Sequence, residues 1–431
     1  MKILYLTGGA GQMYCGSCLR DNSLATELIS QGHQVTLLPV YTPTLTDERN
    51  VSYDKVFFGG ISVYLEQHVP LLRDSPQWLD RLWDSKAMLA WASRRSISTS
   101  PKMLGEMTVS MLKGEDGFQH KEITKLLEWL KHEDKPDVVS LPYSLLLGLA
   151  KPIKELLGQP ICCTLQGEDL FLEGLQEPYR TESKELIKAN LKYIDGFISV
   201  SEYYAGFMPD YLGIPKSKIQ VVPLGINFEG FEKTSHARSE TFRVGYFARI
   251  APEKGLHVLA DAYRRLRKSG QLANARLDFA GYLAPEHRKY LDHIEDEMKA
   301  SGLGAEFTYH GVVDRDKKIA FLSGLDVLSV PATYDEPKGI FLLEAMGCGI
   351  PVVQPRRGGF TEIVEKTGGG LLVEPDDVDS LGNGILTLAQ DPALAKRLAD
   401  SGFVKVREHF SVAQMAERAL EVYRSLMSDM L

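Results

Sequence analysis

The chain has 431 residues, about three times the length of an ordinary domain, so more than one hydrophobic core is expected. Hydrophobic residues at 44% and charged residues at 25% are those of an average soluble globular protein, which excludes collagen-like, disordered and coiled-coil classes. A formal charge of −8 argues against a protein that tracks nucleic-acid phosphates over a broad basic face, so any anionic substrate must meet a local basic site.

KILYLT, residues 2–7, reads as a short buried strand stopped by Gly8 and Gly9. It lacks the h-region of a signal peptide, and no stretch approaches about 18 consecutive apolar residues, so a cytoplasmic location is expected. Five Cys are too few for a disulfide framework in a chain of this length. The turn TGGAGQMYCG places Gly8, Gly9 and Gly11 where backbone can come close to a phosphate or an acceptor. As a dinucleotide fingerprint it fails. Tyr14 stands where a glycine is needed, and the second strand, QVTLLPV, ends in Val40-Tyr41 rather than an acid, so NAD is not expected.

A helix over about 17–30 separates those two strands, and further strands are expected at DVVSL, PICCTL, GFISV and IQVV. The segment from Arg73 to Asp134 breaks the alternation and reads as a helical insertion. It holds all four Trp, at 78, 83, 91 and 129, with Arg73, Arg81, Lys86, Arg94, Arg95 and Lys102 nearby. Packing on the first domain is the first expectation for it, and docking at a membrane surface, such as the inner membrane face, or at an acceptor is the second. The polar, Gly-bearing stretch 223–239 is the expected linker.

The pattern then restarts. Arg243 to Phe247 repeats the opening strand, ARIAPEKG turns, and Leu256, Leu259, Ala260, Tyr263 and Leu266 mark one face of a helix. Strands RLDFAG, FTYHG, DVLSV, PVVQP and LLVEP follow, and a helix near 412–427 presents Val412, Met415, Ala416, Ala419 and Val422 on one face. Two starts predict an α/β protein with two Rossmann-like domains, 1–225 and 226–410, and a last segment, 411–431, that packs back on the first.

Two loops carry the chemistry. In YDEPKGIFLLEAMGCGIPVVQP, Glu336 precedes a helix introduced by Gly339, and Glu344 lies within it. The first N–H groups of a helix are open to an anion, Gly339 lets a ligand come close, and two carboxylates can each grip a pair of vicinal hydroxyls, one on a sugar and one on a ribose. In FARIAPEKG, Arg249 and Lys254 share one strand-to-helix loop, where a guanidinium and an ammonium can clamp a diphosphate and stabilise its charge as it leaves.

E-x7-E at Glu336 and Glu344, R-x4-KG at Arg249 to Gly255, the PLG turn at Pro223 and GGFTEIV near Gly358 together resemble the family 4 retaining glycosyltransferases of GT-B fold, over nearly the whole chain and most firmly from Val221 to Pro375. The resemblance implies two Rossmann-like domains across a cleft, with the nucleotide sugar held mostly on the second. It implies Arg249 and Lys254 on the diphosphate, Glu344 on the ribose, and Glu336 with the backbone of Lys338, Gly339, Ile340 and Phe341 on the donor sugar, while LLVEP flanks the base. It implies retention by front-face attack in which the departing phosphate takes the acceptor's proton, a route that depends on electrostatic preorganisation more than on protein bases.

One departure stands out. Where the family commonly has a His touching the transferred sugar, this chain reads Gln166-Gly167-Glu168-Asp169. Gln166 can exchange hydrogen bonds with hydroxyls but cannot carry His⁺ charge, and Asp169 can orient an acceptor hydroxyl or cap the next helix, as can Glu168.

The D-x-D pairs at Asp314 and Asp377 each open an expected helix and read as caps, Cys15, Cys18, Cys162 and Cys163 read as ordinary thiols, and no metal or other cofactor is expected. UDP-glucose is the first donor to expect, with GDP-mannose and ADP-glucose open and the hydroxyl acceptor undefined. A catalytically weak sugar-nucleotide binding protein and a GT-B nucleotide-sugar epimerase are the competing readings.

Overall fold

A computed structural model describes residues 1–9, 16–53, 56–58, 101–233 and 240–428. The chain forms two compact units, one of residues 1–200, 204–222 and 416–431, the other of 201–203 and 223–415. The division along the linker falls between Val222 and Pro223, and the helix Val412–Ser428 is shared, its Ala416 onward belonging to the first unit.

The first unit is built on a six-stranded parallel sheet of β1 (Lys2–Thr7), β2 (Gln34–Pro39), β3 (Val138–Leu141), β4 (Ile161–Leu165), β5 (Gly196–Ser199) and β6 (Ile219–Val221), in the order β2-β1-β3-β4-β5-β6. The central strands VVSL, ICCTL and GFIS are buried at every position, the continuous apolar runs that a parallel sheet covered on both faces requires. The edge strands β2 and β6 are more open. Burial pushes the Cys162 thiol in β4 up to about 12, consistent with an inert core cysteine.

A charged cluster lies inside this unit. Asp21, on the helix Gly16–Ser30, accepts hydrogen bonds from Thr7 Oγ1 at 2.9 Å, Tyr5 OH at 3.3 Å and Arg20 Nη1 at 3.1 Å, while Arg20 also donates to Tyr5 OH. Both side chains are fully buried. The network ties the end of β1, just before Gly8 and Gly9, to the helix that follows. The C-terminal helix adds Tyr423, whose hydroxyl lies 3.4 Å from Ser140 Oγ of β3, and Leu426, which fills the space beside Gly196 of β5.

Of the segment expected to be helical near 73–134, the helices Pro101–Leu112 and His120–His132 are described. Trp129 packs against Tyr53 and Phe57, with ring centroids 5.6 and 5.3 Å away. Trp78, Trp83 and Trp91 lie outside the described residues, as do Gly11 and Cys15. No helix among the described residues is long and apolar enough to cross a membrane.

The second unit repeats the plan with β7 (Phe242–Phe247), β8 (Ala275–Ala280), β9 (Phe307–Tyr309), β10 (Val327–Leu328), β11 (Val352–Pro355) and β12 (Gly370–Val373), all parallel, in the order β12-β11-β10-β7-β8-β9. From β7 the chain moves to β8 and β9 on one side and then returns to β10 on the other. The β7/β10 boundary is therefore the switch point, where the loops at the carboxyl ends diverge and leave a crevice. Arg315 holds the linker to this unit, donating to the Asn227 and Glu229 carbonyls at 2.9 Å each.

Candidate functional site

The two loops marked by the sequence follow β7 and β10, the strands that border the switch point. Neighbouring strands of one sheet thus bring together side chains about 80 positions apart. Gly255 closes the β7 loop in a left-handed conformation, φ +75°, and opens the helix Leu256–Lys268. A Cβ there would stand 1.9 Å from the Pro331 carbonyl oxygen, so glycine is what lets the loops lie against each other.

Lys254 reaches across that junction. Its buried ammonium donates to Tyr334 OH at 2.6 Å and forms an ion pair with Glu336 Oε2, while Tyr334 donates to the same carboxylate oxygen. Lys338 N–H adds a contact to Glu336 Oε1 at 3.3 Å. Burial by itself would raise the Glu336 pKa, but the charges of Lys254 and Lys338 and the two hydrogen bonds prevail and hold it down at about 2. The carboxylate is ionised at neutral pH.

Arg249 differs. Its side chain is 45% exposed and pairs with Glu253, four residues on in the same loop, at 3.2 Å, so the guanidinium is at hand on the loop but not locked.

Beyond Glu336 the chain turns through Gly339, φ +68°, into the helix Ile340–Gly347, whose start has no side-chain cap. The first-turn N–H groups from Ile340 onward are therefore the electropositive end of that helix. Ile340 is half-buried, and the Phe341 ring packs edge-on against Phe360 at 5.7 Å. Glu344, four residues into the helix, is buried and accepts from Lys318 Nζ at 2.6 Å. Arg357 ties two neighbouring loops, donating to the Ala332 carbonyl at 3.2 Å and to Asp376 Oδ2 at 2.6 Å.

Sequence reading had singled out neither Tyr334 nor Lys318. A signal existed for the second, because Lys318 lies four residues before the buried Leu322 and so occupies the apolar stripe of its helix, where a lysine needs a partner.

In the first unit the turn after β1 meets the loops after β2 and β3, at Thr42 and Tyr143. Gly9 has φ +75°, and a Cβ there would stand 1.8 Å from the Thr42 carbonyl oxygen, so this turn needs glycine for packing within the chain as well as for any ligand. Gln166 is buried, with Nε2 on the Pro142 carbonyl at 2.6 Å and no partner for Oε1 among the described residues. Glu168 does not cap the helix Asp169–Glu173. It braces the loop instead, accepting from Ser144 N–H at 3.1 Å and Gln166 N–H at 2.8 Å. Asp169 accepts from Tyr204 OH at 2.7 Å, and burial raises its pKa above the ordinary value.

Asp314 and Asp377 do cap helices, accepting from Lys317 N–H and from Asp379 and Ser380 N–H respectively. Among the described residues no group of three or more His, Cys, Asp or Glu is placed to hold a metal ion.

Residues 111–229 match a model described as Glycosyltransferase Family 4, and residues 228–404 one described as Glycosyl transferases group 1. The chain is 28% identical to an uncharacterized glycosyltransferase of Methanocaldococcus jannaschii, over 54% of this chain and 60% of that one. It spans about half the length of the curated relatives it matches. Among solved structures, a sucrose-phosphate synthase from Thermosynechococcus elongatus has a TM-score of 0.73 at 19% identity, covering 100% of both chains. Anabaena HepE in complex with UDP-glucose has a TM-score of 0.67 at 18% identity, covering 99% of this chain and 100% of its own. With both motif loops at the switch point of the second sheet, the fold shared along the full length, and family models matched without a break from 111 to 404, the chain belongs to the family 4 glycosyltransferases and has their two-domain GT-B fold.

Proposed function

We propose that the chain transfers a hexosyl group from a nucleotide diphosphate sugar to a hydroxyl acceptor, with retention at the anomeric carbon and without a metal. The observation that carries this reading is the grouping on one unit of a buried Lys254–Glu336 pair, an uncapped helix start at Gly339 and a second buried acid, Glu344, on that helix. An ammonium has three N–H donors, and Tyr334 and Glu336 take two of those of Lys254. The third is directed to a diphosphate oxygen, with Arg249 closing from solvent. As the glycosidic bond to the phosphate breaks, negative charge grows on that oxygen beside Lys254, Arg249 and the helix start, which stabilise it in place of a metal. The acceptor oxygen bonds to the anomeric carbon on the same face, and its proton passes to the departing phosphate. Glu336, ionised and fixed, accepts from sugar hydroxyls, and Glu344 from the ribose.

UDP-glucose is the first donor, supported by the HepE complex with that molecule. In the first unit we assign Gln166 and Asp169 to contacts with the sugar or acceptor, and Gly9 to close backbone approach. The test is incubation with UDP-, GDP- and ADP-sugars and a panel of alcohol and sugar acceptors, with the anomeric configuration of the product read by NMR. A product of inverted configuration, or turnover abolished by chelators and restored by a divalent ion, overturns the mechanism.

The internal hydrogen bond of Gln166 to Pro142 favours a second reading, a sugar-nucleotide binding protein with weak catalysis. Tight donor binding with no nucleotide release over hours, with or without acceptor, would favour it.

A further inference from the structure

We infer that Lys318 is a positioning residue for the nucleotide: it holds the Glu344 carboxylate ionised and fixed for hydrogen bonding to the ribose. This rests on the nucleotide-sugar reading above. The Lys318 ammonium, from the helix Arg315–Ser323, meets Glu344 Oε1 at 2.6 Å, and the two side chains are only 5% and 6% exposed.

As a purely structural device the pair is poorly placed. Glu344 lies in the last turn of Ile340–Gly347, at the negative end of the helix, where an acid is disfavoured. Every residue of that helix from Phe341 to Gly347 is buried, and a matched pair of apolar side chains in such surroundings generally folds as well as an ion pair or better. What an apolar pair cannot supply is a strong acceptor for hydroxyl groups. A carboxylate offers two acceptor oxygens only while ionised, and without a counter-charge a buried carboxyl takes up a proton near neutral pH. Lys318 removes that cost. It lies 26 positions before Glu344 and outside both motif loops.

The experiment titrates the full chain with UDP, GDP and ADP by calorimetry, using for all variants the nucleotide that the wild type binds best. Lys318→Met is expected to weaken binding at least about tenfold, the range of a charge-assisted hydrogen bond. Its affinity should also rise with pH from about 5.5 to 8 while that of the wild type stays flat, because the carboxyl, with the Cys348 thiol nearby and the Arg407 guanidinium held on the Gly347 carbonyl at 3.0 Å, loses the ammonium it bonds to and titrates in that window. Lys318→Arg should restore most of the affinity and the flat profile. The double variant Lys318→Met/Glu344→Leu should melt at or above the wild-type temperature yet bind no better than Glu344→Leu, which separates positioning from folding. Wild-type affinity with a flat profile in Lys318→Met overturns the role of Lys318 and leaves the site intact. Failure of the wild type to bind any of the three nucleotides overturns the functional reading itself.

Discussion

Lys254 and Glu336, 82 positions apart in sequence, form a buried ion pair because the strands that precede them, β7 and β10, are neighbours in the sheet. Each supplies the charge that the other needs where both side chains are buried. Neither is expected to tolerate the loss of its partner.

Glu336 also makes stability depend on acid. Its carboxyl is held at about 2 against an ordinary 4.5, so it contributes stability that is complete above about 4.5 and fades as pH falls toward 2, on the order of 3 kcal/mol in all. Glu336→Gln should therefore lower the urea midpoint at roughly pH 6 by more than at roughly pH 3.5. An equal gap at both values would contradict the assigned charge state.

Arg249 should separate stability from turnover. Its bond to Glu253 is solvent-exposed and contributes less than about 1 kcal/mol, so Arg249→Ala should leave the melting temperature almost unchanged. If the guanidinium meets the diphosphate as the bond breaks, kcat falls about a hundredfold with donor affinity changed far less. Parallel losses in melting temperature and rate would assign it to folding.

Gly255 and Gly339 both occupy left-handed backbone, but their surroundings differ. A Cβ at 255 would run into the Pro331 carbonyl, whereas at 339 it would press side-chain carbons of Ile363 and Phe360 at 3.2 Å. Gly339→Ala should cost about 1–2 kcal/mol, the conformational penalty with a little crowding. Gly255→Ala should cost more, because a backbone carbonyl cannot turn aside. Equilibrium unfolding of the two variants gives the ranking, and the reverse order would refute the packing argument.

In the first unit, Asp21→Ala would strand the fully buried Arg20 guanidinium. A loss of about 3–5 kcal/mol is expected, against almost no change for an exposed acid such as Glu128. A loss below 1 kcal/mol for Asp21 would mean that water reaches the cluster.

The architecture was legible because hydrophobic alternation is local: every strand expected from the sequence is present, and β10 is only shorter than DVLSV suggests, pairing over Val327–Leu328. The motif loops were legible for a related reason, since Gly339 and Gly255 announce positive φ and the charges stand beside them. Tyr334 and Lys318 were missed because what they do depends on partners. Tyr334 reads as a loop aromatic until Lys254 arrives 80 positions away in sequence, and Lys318, though on the apolar stripe of its helix, does not show from sequence that Glu344 pairs with it. Glu168 was open for a different reason. Its place before a short helix allowed a cap or a contact to an acceptor hydroxyl, and the cap is absent because its carboxylate accepts from the nearby N–H groups of Ser144 and Gln166.

The return of residues 416–431 to the unit that begins at Met1 has a consequence for biogenesis. A ribosome releases the whole of 223–415 before the helix segment bearing Tyr423 and Leu426 emerges, so the younger half can be native while the older half still waits for its closing piece. Proteolytic trimming behind Met415 would then injure the domain farthest from the cut in sequence, and the nascent N-terminal sheet is the one that stays incomplete for longest.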